Sequence, residues 1–192
     1  MADLTYDKIS GWCDFDNLYL DMIQQAKENS VFVEIGTWLG RSTASMATKI
    51  KQSKKNITFW AVDTFKGSVT EKWHTNYVAE QGGSIRHLFD ENIRLCGLEE
   101  YVHVLEMTSL EASKRFANGS LDFVFIDGDH SYPAVCNDIK TWLPKLKYAG
   151  VLAGHDYTWP SVKSAVSDII GSSLVRQNGT SWMYRRKTTM LY

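Results

Sequence analysis

Five short apolar runs, each followed by a stretch long enough for a helix, constrain this chain more than any other feature. The runs lie at residues 31–35, 57–62, 101–105, 121–126 and 150–153, and the helical stretches at about 41–51, 84–95, 109–117, 132–143 and 161–170. Runs this uniformly apolar suit parallel strands buried on both faces rather than strands with one wet side. A first helix at about 14–28 carries Phe15, Leu18, Tyr19, Met22, Ile23 and Ala26 at helical spacing. The alternation predicts an α/β fold, a mostly parallel sheet with helices on both faces.

Two departures from plain alternation shape that expectation. Residues 174–177 and 180–185 flank Asn178-Gly179, a dipeptide that favours the tight turn of an antiparallel hairpin. A terminal antiparallel hairpin distinguishes this sheet from a purely parallel dinucleotide-binding one. Residues 65–83, rich in glycine and aromatics, are long for a simple connection and predict a lid-like loop. No repeat or linker divides the chain, so residues 1–30 are expected as a helical cap on a single domain spanning 31–192.

Composition excludes several classes. With 192 residues, 44% hydrophobic and 22% charged, the chain can bury a sizeable core, and a formal charge of -1 supplies no field for nucleic acid or an anionic membrane. Basic clusters at 49–55 and 185–187 read as solvated element ends. Cys13, Cys96 and Cys136 are widely separated and odd in number, which favours a reducing compartment. The first residues lack a signal-peptide pattern, and no run approaches the roughly 18 apolar residues of a membrane span, so a cytoplasmic location is expected. A homo-oligomer is compatible with these features and not required by them.

The chemistry concentrates at strand ends. Glu34-Ile35-Gly36-Thr37-Trp38-Leu39-Gly40-Arg41-Ser42 closes the first strand and opens a helix. Glycines there permit a sharp turn and close approach of a ligand to uncapped helical N–H groups. Glu34 suits a cationic ligand group. Gly36 and Gly40 are separated by three residues, which departs from the G-x-G-x-x-G of dinucleotide folds. Asp63, 23 residues after Gly40, stands where a ribose diol is gripped, followed by Thr64 and Phe65; a loop-capping aspartate is the alternative. Thr108 and Ser109 follow the third strand where an adenine would lie, and either also serves as an ordinary N-cap.

Together with Phe125-Ile126-Asp127-Gly128-Asp129-His130-Ser131-Tyr132 and Gly150-Val151-Leu152-Ala153-Gly154-His155-Asp156-Tyr157, these motifs resemble the class I methyltransferases. The resemblance is nearest to methyltransferases of bacterial sugar and surface-polysaccharide clusters and to macrolide-sugar O-methyltransferases, and spans about residues 9–187. It implies a Rossmann-like seven-stranded sheet with the last strand inserted antiparallel. It also implies S-adenosylmethionine as methyl donor, with Glu34, Gly36, Thr37, Gly40, Ser42, Asp63, Thr64, Phe65, Thr108, Ser109 and Asp127 as candidate cofactor contacts.

Asp127 to His130 and His155-Asp156 close the fourth and fifth strands, whose carboxyl ends open into the ligand crevice of such sheets. Hard oxygens from Asp127 and Asp156 suit magnesium, which would hold an acceptor and lower its hydroxyl pKa. In the resembling enzymes three acids hold that ion, and a histidine three residues after the first acid is the base, a role that falls on His130. His155 stands in place of the third acid, so a borderline metal or none replaces magnesium as an alternative. Capping of the next helix by Asp127 and Asp129, with His155 only packing, is a further alternative. Trp12, Trp38, Phe65, Trp73, Tyr132, Tyr157 and Trp159 are aromatic candidates for the pocket wall or the core.

The expectation is an S-adenosylmethionine-dependent methyltransferase acting on a small hydroxylated acceptor such as a sugar. His130 would be the catalytic base, titrating near 6.5, and a divalent metal would sit on Asp127, His155 and Asp156. An NAD-linked oxidoreductase, a non-catalytic S-adenosylmethionine-binding protein and an iron-dependent hydroxylase are the competing classes.

Overall fold

A computed structural model describes residues 4–68 and 70–187. The extreme ends of the predicted 1–30 cap and 31–192 domain, and the first three residues of the segment read for a signal peptide, lie outside the described residues. The strands are β1 (Ser30–Ile35), β2 (Ile57–Asp63), β3 (His103–Glu106), β4 (Leu121–Ile126), β5 (Leu146–Gly154), β6 (Arg176–Asn178) and β7 (Ser181–Arg185). They form one sheet in the order β3-β2-β1-β4-β5-β7-β6. The first five pair in parallel, whereas β7 lies antiparallel between β5 and β6. This is the seven-stranded Rossmann-like arrangement that the hairpin and the resemblance implied.

Side chains of β1 alternate between two cores. Phe32 joins Phe59, Phe123 and Phe125 on the face covered by α1 (Asp16–Gln25), α2 (Arg41–Ser53) and α4 (Arg86–Leu95). Val33 and Ile35 join Val124 and Ile126 on the face covered by α5 (Ser109–Ser113), α6 (Tyr132–Trp142) and α7 (Pro160–Ile170). Burial on both faces explains the unbroken apolar runs. The remaining helix, α3 (Lys72–Glu80), lies within the segment expected as a loop. Its apolar pattern is weak because Val78 is its only buried residue among those described.

Local chemistry sets the element ends. Lys55 Nζ donates to the carbonyls of Ile23, Gln24 and Ala26 at 2.8, 2.9 and 2.8 Å, closing α1 with a cation where its dipole is negative. Thr108 and Glu111 form a reciprocal capping box at the start of α5. The terminal hairpin turns one residue later than Asn178-Gly179 suggested, because Asn178 pairs with Ser181 and leaves Gly179-Thr180 as the loop. Gly179 has φ 60°, while neither neighbour has positive φ, so the glycine occupies the first loop position. All three cysteines carry free thiols. Among the described residues, no helix is long and apolar enough to cross a membrane.

Strand order reverses between β1 and β4, and the chain leaves these two strands in opposite directions. A crevice therefore opens at their carboxyl ends.

Candidate functional site

A cavity of about 360 Å³ occupies this crevice, within the range of small-molecule sites. Its lining includes Gly36, Thr37 and Ser42 from the first turn, Asp127 and His130 after β4, and His155 and Asp156 after β5. Sequence reasoning assigned all seven, and the fold brings them together.

The two loops meet at van der Waals limits. A Cβ on Gly36, which has φ 82°, would lie 2.0 Å from the Asp127 carbonyl oxygen, so no other residue fits there without moving β4. Gly40, with φ 89°, lies against Phe89, whose ring a Cβ would approach to 3.0 Å. Both glycines are thus required by the protein's own packing. The α2 N-terminus beyond Gly40 has no side-chain cap, and Arg41 and Ser42 of its first turn line the cavity.

Several expected cofactor contacts are committed elsewhere. Glu34 is fully buried beneath the cavity, where it accepts bonds from Tyr19 Oη at 2.8 Å and Thr43 Oγ1 at 2.5 Å. Burial pushes its carboxyl up to about 7, against the pull of the Ser42, Thr43 and Tyr19 hydroxyls. Glu34 is not among the cavity-lining residues.

Asp63 holds two loops. Its Oδ2 accepts from the amides of Thr37 at 2.7 Å and Trp38 at 2.9 Å, and its Oδ1 accepts from the Phe65 amide at 2.8 Å. That leaves the carboxylate at most about one open acceptor site on Oδ1, fewer than two ribose hydroxyls would use. Phe65 is buried against Phe89, and Ser109 bonds Asp138 at 2.5 Å and Trp142 at 2.8 Å. Thr64 and Thr108 line a separate, more open hollow with Met107.

Around His130 the arrangement is different. Its Nδ1 bonds Glu71 Oε1 at 2.8 Å; its Nε2 lies 2.9 Å from Asp156 Oδ2 and 3.7 Å from Asp127 Oδ1. Nε2 is nevertheless buried without a well-aligned hydrogen bond. Burial disfavours the imidazolium, but Asp127, Asp156 and Glu71 outweigh it and hold the ring up at about 11. Relative to the expected titration near 6.5, the three carboxylates displace His130 upward. His155 is held up at about 10 in the same way, with burial overcome by Asp127 and Asp156. Asp156 is correspondingly driven well below the usual carboxylate range despite burial.

His155 Nε2 contacts Asp14 Oδ1 at 2.8 Å, while its Nδ1 lies 3.2 Å from Asp156 Oδ2 and 3.5 Å from Asp127 Oδ1. Ligand atoms of Asp127, His130 and Asp156 all fall within 4.8 Å of one another. The histidine expected as base thus shares the carboxylates with the one expected as ligand. Asp129, by contrast, caps the turn into α6, its Oδ1 accepting from the Ser131 amide at 2.8 Å.

Sequence reasoning missed Glu71 and His74. Glu71 precedes α3 and reaches back to His130, and Ser68 and Thr70 fix the same segment to Asp129 at 2.9 and 3.1 Å. These contacts join residues about sixty positions apart, which no local pattern reveals. Among the described residues, four buried side-chain nitrogen or oxygen atoms make no hydrogen bond: Arg41 Nε, His74 Nδ1, His130 Nε2 and Ser181 Oγ. The first three belong to cavity-lining residues. Asp156 and Trp38, also in the lining, take φ of 54° and 50°. Left-handed backbone of this kind costs about 1–3 kcal/mol per residue and gathers at functional sites.

A family profile described as a methyltransferase domain matches residues 33–157. Two curated relatives are also similar. An uncharacterized protein of Sinorhizobium fredii is 25% identical over 154 residues, 79% of this chain and 16% of that protein. An uncharacterized protein of Acanthamoeba polyphaga mimivirus is 28% identical over 151 residues, 75% of this chain and 61% of that protein. The chain thus spans less than two thirds of either relative.

Among solved structures, the O-methyltransferase NovP superposes with a TM-score of 0.64 at 17% identity, covering 91% of this chain and 80% of that one. CalS11, a TDP-rhamnose 3′-O-methyltransferase of calicheamicin biosynthesis, gives 0.58 at 13% identity, covering 89% and 76%. At such identity the likeness is one of fold.

Proposed function

Because the chain belongs to the methyltransferase-domain family, we propose that it transfers the methyl group of S-adenosylmethionine to a hydroxyl of a small acceptor, with a sugar as the acceptor class. The sugar rests on the resemblance of the motifs and on the acceptor of CalS11. The observation that carries the reading is the cavity itself, where three of the four buried polar atoms that make no hydrogen bond among the described residues belong to lining residues at the β1/β4 switch point. Unsatisfied buried donors are costly, and a bound ligand is what offsets them.

The residues present fit the methyl donor. Arg41 Nε and the uncapped first turn of α2 are donors suited to the carboxylate of its amino-acid end. Asp63 keeps Thr37 and Trp38 in place beneath it and has room for one ribose hydroxyl. When bound, S-adenosylmethionine would supply an electrophilic methyl on a sulfonium for transfer to the acceptor oxygen, leaving S-adenosylhomocysteine.

A divalent cation fits as well, since the Asp127 and Asp156 carboxylates converge beside the Nδ1 edge of His155. Asp127 and Asp156 would hold it, with the His155 Nδ1 edge beside them; this mixed donor set suits a borderline ion better than magnesium. Such an ion would supply Lewis-acid polarisation of the acceptor oxygen and cancel negative charge around His130. Glu71 holds His130 by Nδ1, which leaves Nε2 turned toward the carboxylates and, in the neutral ring, able to take the hydroxyl proton.

The test is conversion of S-adenosylmethionine to S-adenosylhomocysteine, followed by mass spectrometry with a panel of hydroxylated acceptors and manganese or magnesium. A methylated product is expected, and it should be lost with chelator or in Asp156→Asn while S-adenosylhomocysteine still binds. Binding without turnover of any acceptor would favour a non-catalytic binding protein. Full activity in excess chelator would reject the cation.

A further inference from the structure

Indole side chains are normally covered, because exposing one forgoes several kcal/mol of hydrophobic free energy. Here Trp142 and Trp182 obey that rule at 0% and 1% exposure, yet Trp12, Trp73 and Trp159 are 61%, 47% and 44% exposed. All three line the same cavity. They come from three separate places: the N-terminal segment, α3 and the residue preceding α7. Their convergence on one cavity is a product of the fold, and exposed aromatic side chains gathered around a concave site mark a binding surface.

Resting on the methyltransferase reading above, we propose that Trp12, Trp73 and Trp159 form the acceptor subsite, and that its ligand is an uncharged glycoside rather than a nucleotide-linked sugar or a phenol. The geometry separates these classes. A planar phenol gains most between parallel walls, but the Trp12–Trp73 and Trp38–Trp73 pairs meet edge-on at 70° and 66°. A pyranose instead lays one C–H face on a single indole and directs its hydroxyls outward. Trp159 stands 4.9 Å from the His130 ring, so a sugar resting on it carries a hydroxyl toward His130, Asp127 and Asp156.

A diphosphate would need cations. Among the lining residues there is no lysine, and the one arginine, Arg41, gives Nη1 to the carbonyls of Ile9 and Gly11 and, in the reading above, its Nε to the carboxylate of the methyl donor. Of the lining imidazoles, His130 and His155 lie against carboxylates, and His74 Nδ1 faces Glu71 Oε2 at 3.4 Å. Glu71, Asp127 and Asp156 would repel phosphate oxygens while accepting bonds from neutral hydroxyls.

The experiment is saturation-transfer NMR and tryptophan fluorescence with methyl α-L-rhamnopyranoside, methyl α-D-glucopyranoside, thymidine-diphosphate rhamnose and catechol, with and without S-adenosylhomocysteine. A methyl glycoside should receive saturation on its C–H face and perturb the indole emission. Trp73→Ala and Trp159→Ala should each weaken it about tenfold, with Trp73→Phe intermediate. Calorimetric affinity for S-adenosylhomocysteine should stay within about twofold, because these indoles face the acceptor.

Absence of glycoside binding, glycoside affinity unchanged in the tryptophan variants, or tighter binding of catechol or the nucleotide sugar would each overturn the subsite. Failure of S-adenosylhomocysteine to bind strikes the methyltransferase reading instead, and the glycoside titration without it still decides the platform.

Discussion

The turn after β1 and the loops after β4 and β5 face each other across one cavity, and their polar groups are in opposite conditions. In the first region Glu34 is satisfied by Tyr19 and Thr43, and Asp63 by three backbone amides. In the second, two imidazoles crowd two carboxylates, His130 Nε2 is left without an aligned bond, and Asp156 takes a left-handed backbone. A residue at a motif position can therefore be recognisable because the fold needs it, whereas unspent bonding capacity identifies the groups available for chemistry. The first region frames a ligand; the second is equipped to act on one.

The largest expected consequence lies in the second region. His130→Ala should lower kcat by roughly 100- to 10,000-fold, the usual span of a general base, with S-adenosylhomocysteine affinity little changed. Steady-state kinetics beside calorimetry checks this, and a loss confined to cofactor binding would undo the contrast.

In the first region, the effects fall on stability. Glu34 has a folded pKa of about 7, raised from 4.5 by burial. Between those values the unfolded chain gives up its proton first, so stability falls as pH rises from about 4.5 to 7 and is flat above; the shift corresponds to about 3 kcal/mol. Denaturant titrations of wild type and Glu34→Gln at pH 5 and 7.5 should differ by that slope. Parallel curves would mean that Glu34 ionises freely.

Asp63→Ala should cost about 2 kcal/mol, lowering Tm by roughly 4–8 °C, as three amides lose a charged acceptor. Amide exchange should accelerate at Thr37 and Trp38. An unaltered turn with cofactor affinity abolished would show that Asp63 serves the ligand and not the loop.

Glu71→Gln is the smallest change, expected at about tenfold in kcat, since a neutral acceptor still holds His130 Nδ1–H but with a weaker bond. The nitrogen-15 spectrum of His130 reports the change directly. An identical spectrum and rate would remove Glu71 from the site.

Much of this fold was legible because burial on both faces of β1 and β4 leaves an unbroken apolar run, and because a glycine marks the closing hairpin. The α3 helix was not legible, since its Trp73 and Tyr77 pack on Trp38 rather than in a regular core stripe. In the site, Asp127, His130, His155 and Asp156 were readable from their places at strand ends. Glu71 was not, because its role exists only when the segment before α3 docks on Asp129 and His130. The titration of His130 was also hidden: it depends on three carboxylates that only the fold assembles.

Calorimetric titration of S-adenosylhomocysteine and of NAD into the wild-type protein, His130→Ala and Asp63→Ala bears most directly on the claim that the crevice receives a methyl donor. The account predicts one S-adenosylhomocysteine site per chain, retained in His130→Ala, weakened in Asp63→Ala, and no heat from NAD. Binding of NAD in its place, or no binding of S-adenosylhomocysteine to folded wild-type protein, would contradict it.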